Sequence, residues 1–272
     1  MFLSKQKKRS WLRAIVVALF TLVIIAVLLL VWLIQFGGAA RVLTDRTLTN
    51  HVIAELEQEE QSLVYAVQDL FLSPEPTEVL LLFMNNTELR PGGGFIGSYA
   101  VIRFGNKTVE LMAFEGSEVL DARAIGMSNA VPPSIMQKEL GISSWQFRDS
   151  NWSPDFAVSA QQSLDFYIAE GGTLAREIDM VIALTPTVLE AILATIGPVT
   201  LDSGQIYTAE NVTEQLQYEV EFAFLEKNIP VVERKGIMKE LLEKIARAAI
   251  PQVIRDSRSF MDIAETLFRQ KQ

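Results

Sequence analysis

The hydrophobic pattern changes character twice along this chain. Ala14–Ile34 (AIVVALFTLVIIAVLLLVWLI) is apolar and uncharged throughout, and at 1.5 Å rise per residue a helix of that length covers the roughly 30 Å hydrocarbon core of a bilayer. A helix there would satisfy its own backbone polar groups in lipid. Gly37-Gly38-Ala39-Ala40 has the composition of a signal-peptide cleavage site, but the apolar region of a signal peptide is typically about 7–15 residues long. The length therefore predicts an uncleaved transmembrane anchor at 14–34.

Beyond the span, periodicity replaces uniform hydrophobicity. Ile53, Leu56, Leu63, Val67 and Leu70 recur at three- and four-residue steps within Thr44–Phe71, which predicts an amphipathic helix. Glu60 occupies a position that a heptad would keep apolar, so the helix is read as a stalk or a packed helix rather than a coiled coil. Ser73-Pro74-Glu75-Pro76 ends it, because proline cannot continue a helix.

From Glu78 the pattern becomes that of a folded domain. Glu78–Met84 (EVLLLFM) is a continuous apolar run of strand length, suited to a strand covered on both faces. Phe95–Phe104 and Val109–Phe114, separated by a Gly105-Asn106 turn, read as two more strands and open a meander. Ser153-Pro154-Asp155 has the chemistry of a helix start, with Ser153 as N-cap, and Gly171-Gly172 that of its end. Ile178–Leu184 is a strand, Pro186–Ile196 a helix and Val199–Leu201 a short strand, after which helical periodicity runs from about Ala209, broken near Pro230 and Pro251. Strands interleaved with helices predict an α/β sandwich.

The resulting organisation is a basic tail (1–13), a transmembrane helix (14–34), a stalk and linker (35–76), an α/β domain (77–205) and a helical extension (206–272). The apolar face Leu241, Leu242, Ile245 and Ala249 of that extension finds no obvious cover in the remaining sequence, which raises the expectation of a further C-terminal portion.

Charge sets the sidedness. Lys5, Lys7, Lys8, Arg9 and Arg13 precede the span without an acidic residue, so the tail is expected in the cytoplasm and the main domain on the outer side. Trp11 and Trp32 lie near the two ends of the span, where indole rings favour the headgroup region. The whole chain carries a formal charge of −9, and the part beyond the membrane is more acidic still, which excludes nucleic acid as an expected partner. The chain has no Cys, which removes thiol catalysis, disulfides and thiolate metal sites. Its one His, His51, lies in the stalk, so a Ser-His-Asp triad or a histidine metal site is not expected.

Two polar clusters remain as candidate chemistry. The first, Asn85-Asn86-Thr87-Glu88-Leu89-Arg90-Pro91-Gly92-Gly93-Gly94-Phe95, follows directly on an apolar strand, and strand ends of α/β sheets are where ligands bind. Arg90 could grip a phosphate or carboxylate, and the amides of Gly92, Gly93 and Gly94 could converge on an anion, with Asn85, Asn86 and Glu88 beside them. Equally, the run could be a glycine-rich turn in which Arg90 pairs with Glu88. No Gly-Lys-Ser/Thr follows, so it is not a P-loop. The second cluster is Arg148-Asp149-Ser150-Asn151-Trp152-Ser153-Pro154-Asp155-Phe156. Asp149 and Asp155, with Asn151, could share a hard cation such as Mg²⁺, and Arg148 could meet an anionic group. The structural alternative pairs Arg148 with Asp149, makes Asp155 a helix-terminal charge and places Trp152 and Phe156 in the core. Ser117, Glu118, Asp121 and Arg123 follow the third strand and could rim the same edge.

NNTELRPGGGFIGSY, RDSNWSPDF, IDMVIALTPTVLEAILATIGPVTL and TAENV, in this order between about Glu78 and Val212, resemble the bacterial family catalogued as domain of unknown function 4012. That family has no established activity, and its members typically carry an N-terminal membrane span. A more distant resemblance is to the LytR-CpsA-Psr family, membrane-anchored enzymes that transfer glycopolymers from polyprenyl-pyrophosphate carriers to peptidoglycan. The resemblance implies a LytR-CpsA-Psr-like α/β domain and carries over Arg90 alone; for a transfer reaction Arg148, Asp149 and Asp155 would have to supply a different arrangement, with Arg90 and Arg148 stabilising charge and Asp149 or Asp155 holding a cation. The sequence departs from that family's pattern, with Asn85-Asn86 where an Asp is expected, Gly94-Phe95-Ile96-Gly97 in place of an Arg-Ser-Asp pattern, and Glu115–Asp121 in place of a Pro-Arg-Asp motif. Two expectations result: an extracytoplasmic envelope protein that binds a phosphate-bearing or glycan ligand, a polyprenyl-phosphate-linked glycan or peptidoglycan, with possible glycopolymer transfer; or a non-catalytic envelope scaffold that binds another protein.

Overall fold

The computed structural model describes residues 72–106, 108–126, 130–219 and 236–256, with isolated positions from 259 to 270. The expected cytoplasmic tail, transmembrane span and stalk helix lie outside the described residues, as does Pro230. No described helix is long and apolar enough to cross a membrane.

The domain is a three-layer α/β sandwich around a four-stranded mixed sheet. Its strands are β1 (Thr77–Asn85), β2 (Phe95–Gly105), β3 (Thr108–Gly116) and β4 (Ile178–Leu184), in the order β3-β2-β1-β4. The expected meander is present, since β1–β2 and β2–β3 are antiparallel, while β4 joins the free edge of β1 in parallel. Asn106 turns the β2–β3 hairpin at φ +52°, a left-handed conformation that Asn tolerates better than most residues.

The uniform hydrophobicity of β1 has a direct structural reading. Val79 and Leu81 point to one face of the sheet, and Leu80, Leu82 and Met84 to the other. Successive strand residues alternate in direction, so a strand buried on both faces needs apolar residues at every position.

Helices α1 (Ser117–Arg123) and α3 (Phe156–Ala169), with the 3-10 turn Phe147–Asp149, cover the second of these faces, and α2 (Ser134–Leu140) lies in the connection between α1 and that turn. At the centre of this layer Tyr99, Phe147 and Tyr167 meet edge-on or tilted at ring-centroid distances of 5.2–5.6 Å. The other face is covered by α4 (Pro186–Ile196), the β5–β6 hairpin (Val199–Thr200 and Ile206–Tyr207), α5 (Val212–Tyr218) and α6 (Gly236–Arg255).

The C-terminal elements depart from expectation. Leu241, Ile245 and Ala249 of α6 are buried in the same cluster as Val79, Leu81, Ile102 and Ile192, so the apolar face of α6 has its cover within this chain. The line drawn at 205/206 falls inside the β5–β6 hairpin, and both halves of that hairpin contribute to the core. Pro251 also lies within α6 rather than ending it. Ala249 is buried before the proline, and Gln252 Nε2 donates to the carbonyl of Ile196 at 3.3 Å after it, so contacts on both sides hold the helical path where proline alone would break it.

Candidate functional site

The two polar clusters meet. Five consecutive residues, Phe147 to Asn151, tie this segment to α1, to α3 and to the β1–β2 loop. The amide of Phe147 donates to Glu170 Oε1 at 2.8 Å, at the C-terminal end of α3. Arg148 Nε donates to Asp121 Oδ2 on α1. Asp149 Oδ1 accepts from Arg90 Nε at 2.8 Å, in the β1–β2 loop. Ser150 Oγ donates to Ser163 Oγ of α3 at 2.8 Å. Asn151 Nδ2 donates to the carbonyl of Gly94 at 2.6 Å, and the Asn151 carbonyl accepts from the amide of Gly92 at 3.0 Å.

The segment is buried, with Ser150 at 0% and Asn151 at 2% exposure, so its polar atoms depend on protein partners rather than water. Trp145 closes the segment from outside, its Nε1 donating to the carbonyl of Asp149 at 2.9 Å, while its ring lies against Phe166.

Arg90 is enclosed on every side. Besides Asp149, its Nη2 donates to Glu88 Oε1 at 3.1 Å, its Nη1 donates to the carbonyl of Leu89 at 3.0 Å, and its guanidinium lies 5.4 Å from the centre of the Phe95 ring. The side chains of Arg90 and Asp149 are 7% and 6% exposed. The expected Arg90–Glu88 pair therefore exists, but the more buried partner is Asp149.

The expected Arg148–Asp149 pair is replaced by a crossed arrangement in which Arg148 takes Asp121 and Asp149 takes Arg90. Neighbouring residues leave a tight turn in different directions, so sequence adjacency did not make them partners.

The glycine run follows the same logic. The amide of Gly93 donates to the carbonyl of Arg90 and that of Phe95 to the carbonyl of Glu88, so the loop spends these donors on itself. Gly92 is packed so closely that an added Cβ would lie 2.3 Å from the carbonyl oxygen of Asn151. Gly94, at φ +144°, would bring a Cβ within 2.4 Å of the carbonyl oxygen of Asn85. Asn85 Oδ1 accepts from the amide and hydroxyl of Thr87, and Asn86 Nδ2 donates to Thr187 Oγ1 at 3.0 Å on α4.

The two carboxylates expected around Mg²⁺ have separate duties. Asp149 neutralises Arg90, while Asp155 is the N-cap of α3, its Oδ1 accepting from the amide of Ala157 at 2.9 Å. Asp155 rather than Ser153 is the cap, because Pro154 still lies outside the helix. Among the described residues no three His, Asp or Glu side chains are grouped to hold a metal ion. Phe156 is 46% exposed and so lies outside the core.

Sequence reasoning missed Glu170. It is 3% exposed and stands beside Asp121, which is fully buried. Burial, with the neighbouring Asp121 carboxyl, pushes the Glu170 carboxyl up to about 8. Burial also raises Asp121, against the opposing charge of Arg148. No motif announces Glu170; its position at the end of an amphipathic helix reads as surface.

A family model described as a protein of unknown function (DUF4012) matches residues 74–220. No curated protein and no solved structure matches the chain.

Proposed function

This chain belongs to the DUF4012 family, whose description assigns no activity, and from its site we propose that it is a membrane-anchored, extracytoplasmic envelope protein whose domain acts as a non-catalytic scaffold. The observation that carries this reading is the closure of Arg90 on Asp149 with both side chains more than nine-tenths buried. A phosphate-binding arginine offers its guanidinium to the ligand. Here Nε, Nη1 and Nη2 all have acceptors within the protein. A scaffold needs such a motif only to hold its surface in shape, and the acidic balance of the chain suits a protein partner. The uncharged run at 14–34, with basic residues ahead of it, supports the anchor and its orientation.

A second reading keeps the phosphate-bearing or glycan ligand implied by the resemblance to LytR-CpsA-Psr enzymes. It is favoured by one observation, that the side chain of Arg148 is 33% exposed and retains a solvent-facing part.

Two experiments test the proposal. The chain has no cysteine, so Leu89→Cys, at a position 84% exposed, gives a single thiol. A membrane-impermeant maleimide should label it in intact cells, and labelling only after lysis would refute the outward placement. The second experiment titrates the full chain in detergent with undecaprenyl pyrophosphate, with and without Mg²⁺. The scaffold reading expects no saturable binding. Saturable binding lost in a folded Arg148→Ala variant would establish the ligand reading instead.

A further inference from the structure

We infer that Asp121 and Glu170 share one proton, and that this proton controls how tightly the Phe147–Asn151 segment, and through it the Arg90 loop, is held. The inference is independent of the scaffold reading.

The geometry carries the argument. The two carboxyls come from different elements, α1 and the end of α3, and both are more than nine-tenths buried. Each has one oxygen engaged with the 3-10 turn, Asp121 Oδ2 by Arg148 Nε and Glu170 Oε1 by the amide of Phe147. The other two oxygens, Asp121 Oδ1 and Glu170 Oε2, are buried and have no hydrogen-bond partner among the described residues. The two carboxyls are anchored on consecutive residues of one turn and sense each other's charge. An ionised carboxylate only accepts, so neither orphaned oxygen can satisfy the other unless one of the two carboxyls holds a proton.

The surrounding charges point the same way. Among the described residues, Arg148, from the 3-10 turn, is the cation that faces the pair. On the strand side, Tyr99 of β2 donates to Glu115 of β3, and Arg123 of α1 neutralises that carboxylate with bonds of 3.0 and 2.6 Å. Tyr167 of α3 donates to the carbonyl of Thr173. That neighbouring cluster is balanced within itself. One arginine against two buried carboxylates leaves one negative charge, which the shared proton removes.

Ionising both groups places two buried like charges in contact. Because both hold residues 147 and 148, their separation loosens the turn that presents Asp149 to Arg90. The sign follows from linkage: the folded state keeps a proton that the unfolded chain releases near its ordinary carboxylate range, about 4.3. The contribution to stability is full below that range, declines as pH rises, and is lost once the folded pair titrates.

The test uses the full chain in detergent with Trp11 and Trp32 replaced by Phe, so that Trp145 and Trp152 report. Trp145 is bonded directly to the segment. The emission of the folded protein should shift with a single-proton midpoint near 8, the range to which the Glu170 carboxyl is raised, and the melting temperature should fall below that midpoint and level off above it. Glu170→Gln supplies a permanent donor to Asp121 while its oxygen still accepts from Phe147, so both responses should vanish. An unchanged titration in folded Glu170→Gln, or no titration in the wild type, would overturn the inference. Should Glu170→Gln fail to fold, infrared difference spectra of the wild type decide the matter. A protonated-carboxyl carbonyl band present at neutral pH and lost in mild alkali supports the shared proton, and its absence at neutral pH refutes it.

Discussion

The amide of Gly92 donates to the carbonyl oxygen of Asn151 at 3.0 Å, and a Cβ on Gly92 would stand 2.3 Å from that oxygen. The hydrogen bond and the absence of a side chain are one requirement: the two backbones can approach this closely only where the residue is glycine. The contact joins the β1–β2 loop to the segment leading into α3, on the layer that covers Leu80 and Leu82. Gly92→Ala should therefore push the two motifs apart and destabilise the domain by about 1–3 kcal/mol. Denaturant unfolding of the domain measures this directly.

Removing one partner of the Arg90–Asp149 pair leaves the other charged and buried. Arg90→Ala and Asp149→Ala should each cost about 3–5 kcal/mol, and the double variant should cost clearly less than the two combined. A double-mutant cycle on unfolding free energies checks the coupling. Arg90→Lys should recover little of the loss, because an ammonium cannot address Asp149, Glu88 and the Leu89 carbonyl from one planar group.

The cap of α3 gives a smaller, local effect. Asp155→Ala should lower stability by about 0.5–2 kcal/mol, whereas Asp155→Asn or Asp155→Ser should retain most of it. Thermal melts of the three variants separate a cap from a cation ligand, since a capping role predicts no dependence of the ranking on Mg²⁺.

The burial of α6 predicts that the C-terminal region is part of the folding unit. Leu241→Ala and Ile245→Ala, each at 0–1% exposure in the wild type, should cost about 2–5 kcal/mol. The unfolding transition should remain single, because α6 shares its core with the sheet. A separate low-temperature transition in calorimetry would count against that unity.

What the sequence determined by itself follows from local rules. The uniform apolar run of β1, the Ile178–Leu184 strand, the Pro186–Ile196 helix and the helix stop at Gly171-Gly172 were legible, because periodicity, proline at a helix start and glycine at a helix end act over a few residues. Adjacency of the candidate clusters to strand and helix ends was legible for the same reason. Pairing was not. Arg148 and Asp149 are neighbours in the chain yet bind Asp121 and Arg90, because a 3-10 turn sends successive side chains in different directions. The cover for α6 was equally hidden, since α6 packs on α4 and β5 and closes a core that these elements share with β1 and β2, distant in the chain. The Glu170 carboxyl owes its character wholly to burial beside Asp121. Charge, hydrogen-bond partner and solvent exposure are properties of three-dimensional neighbours, and only the tertiary structure decided those.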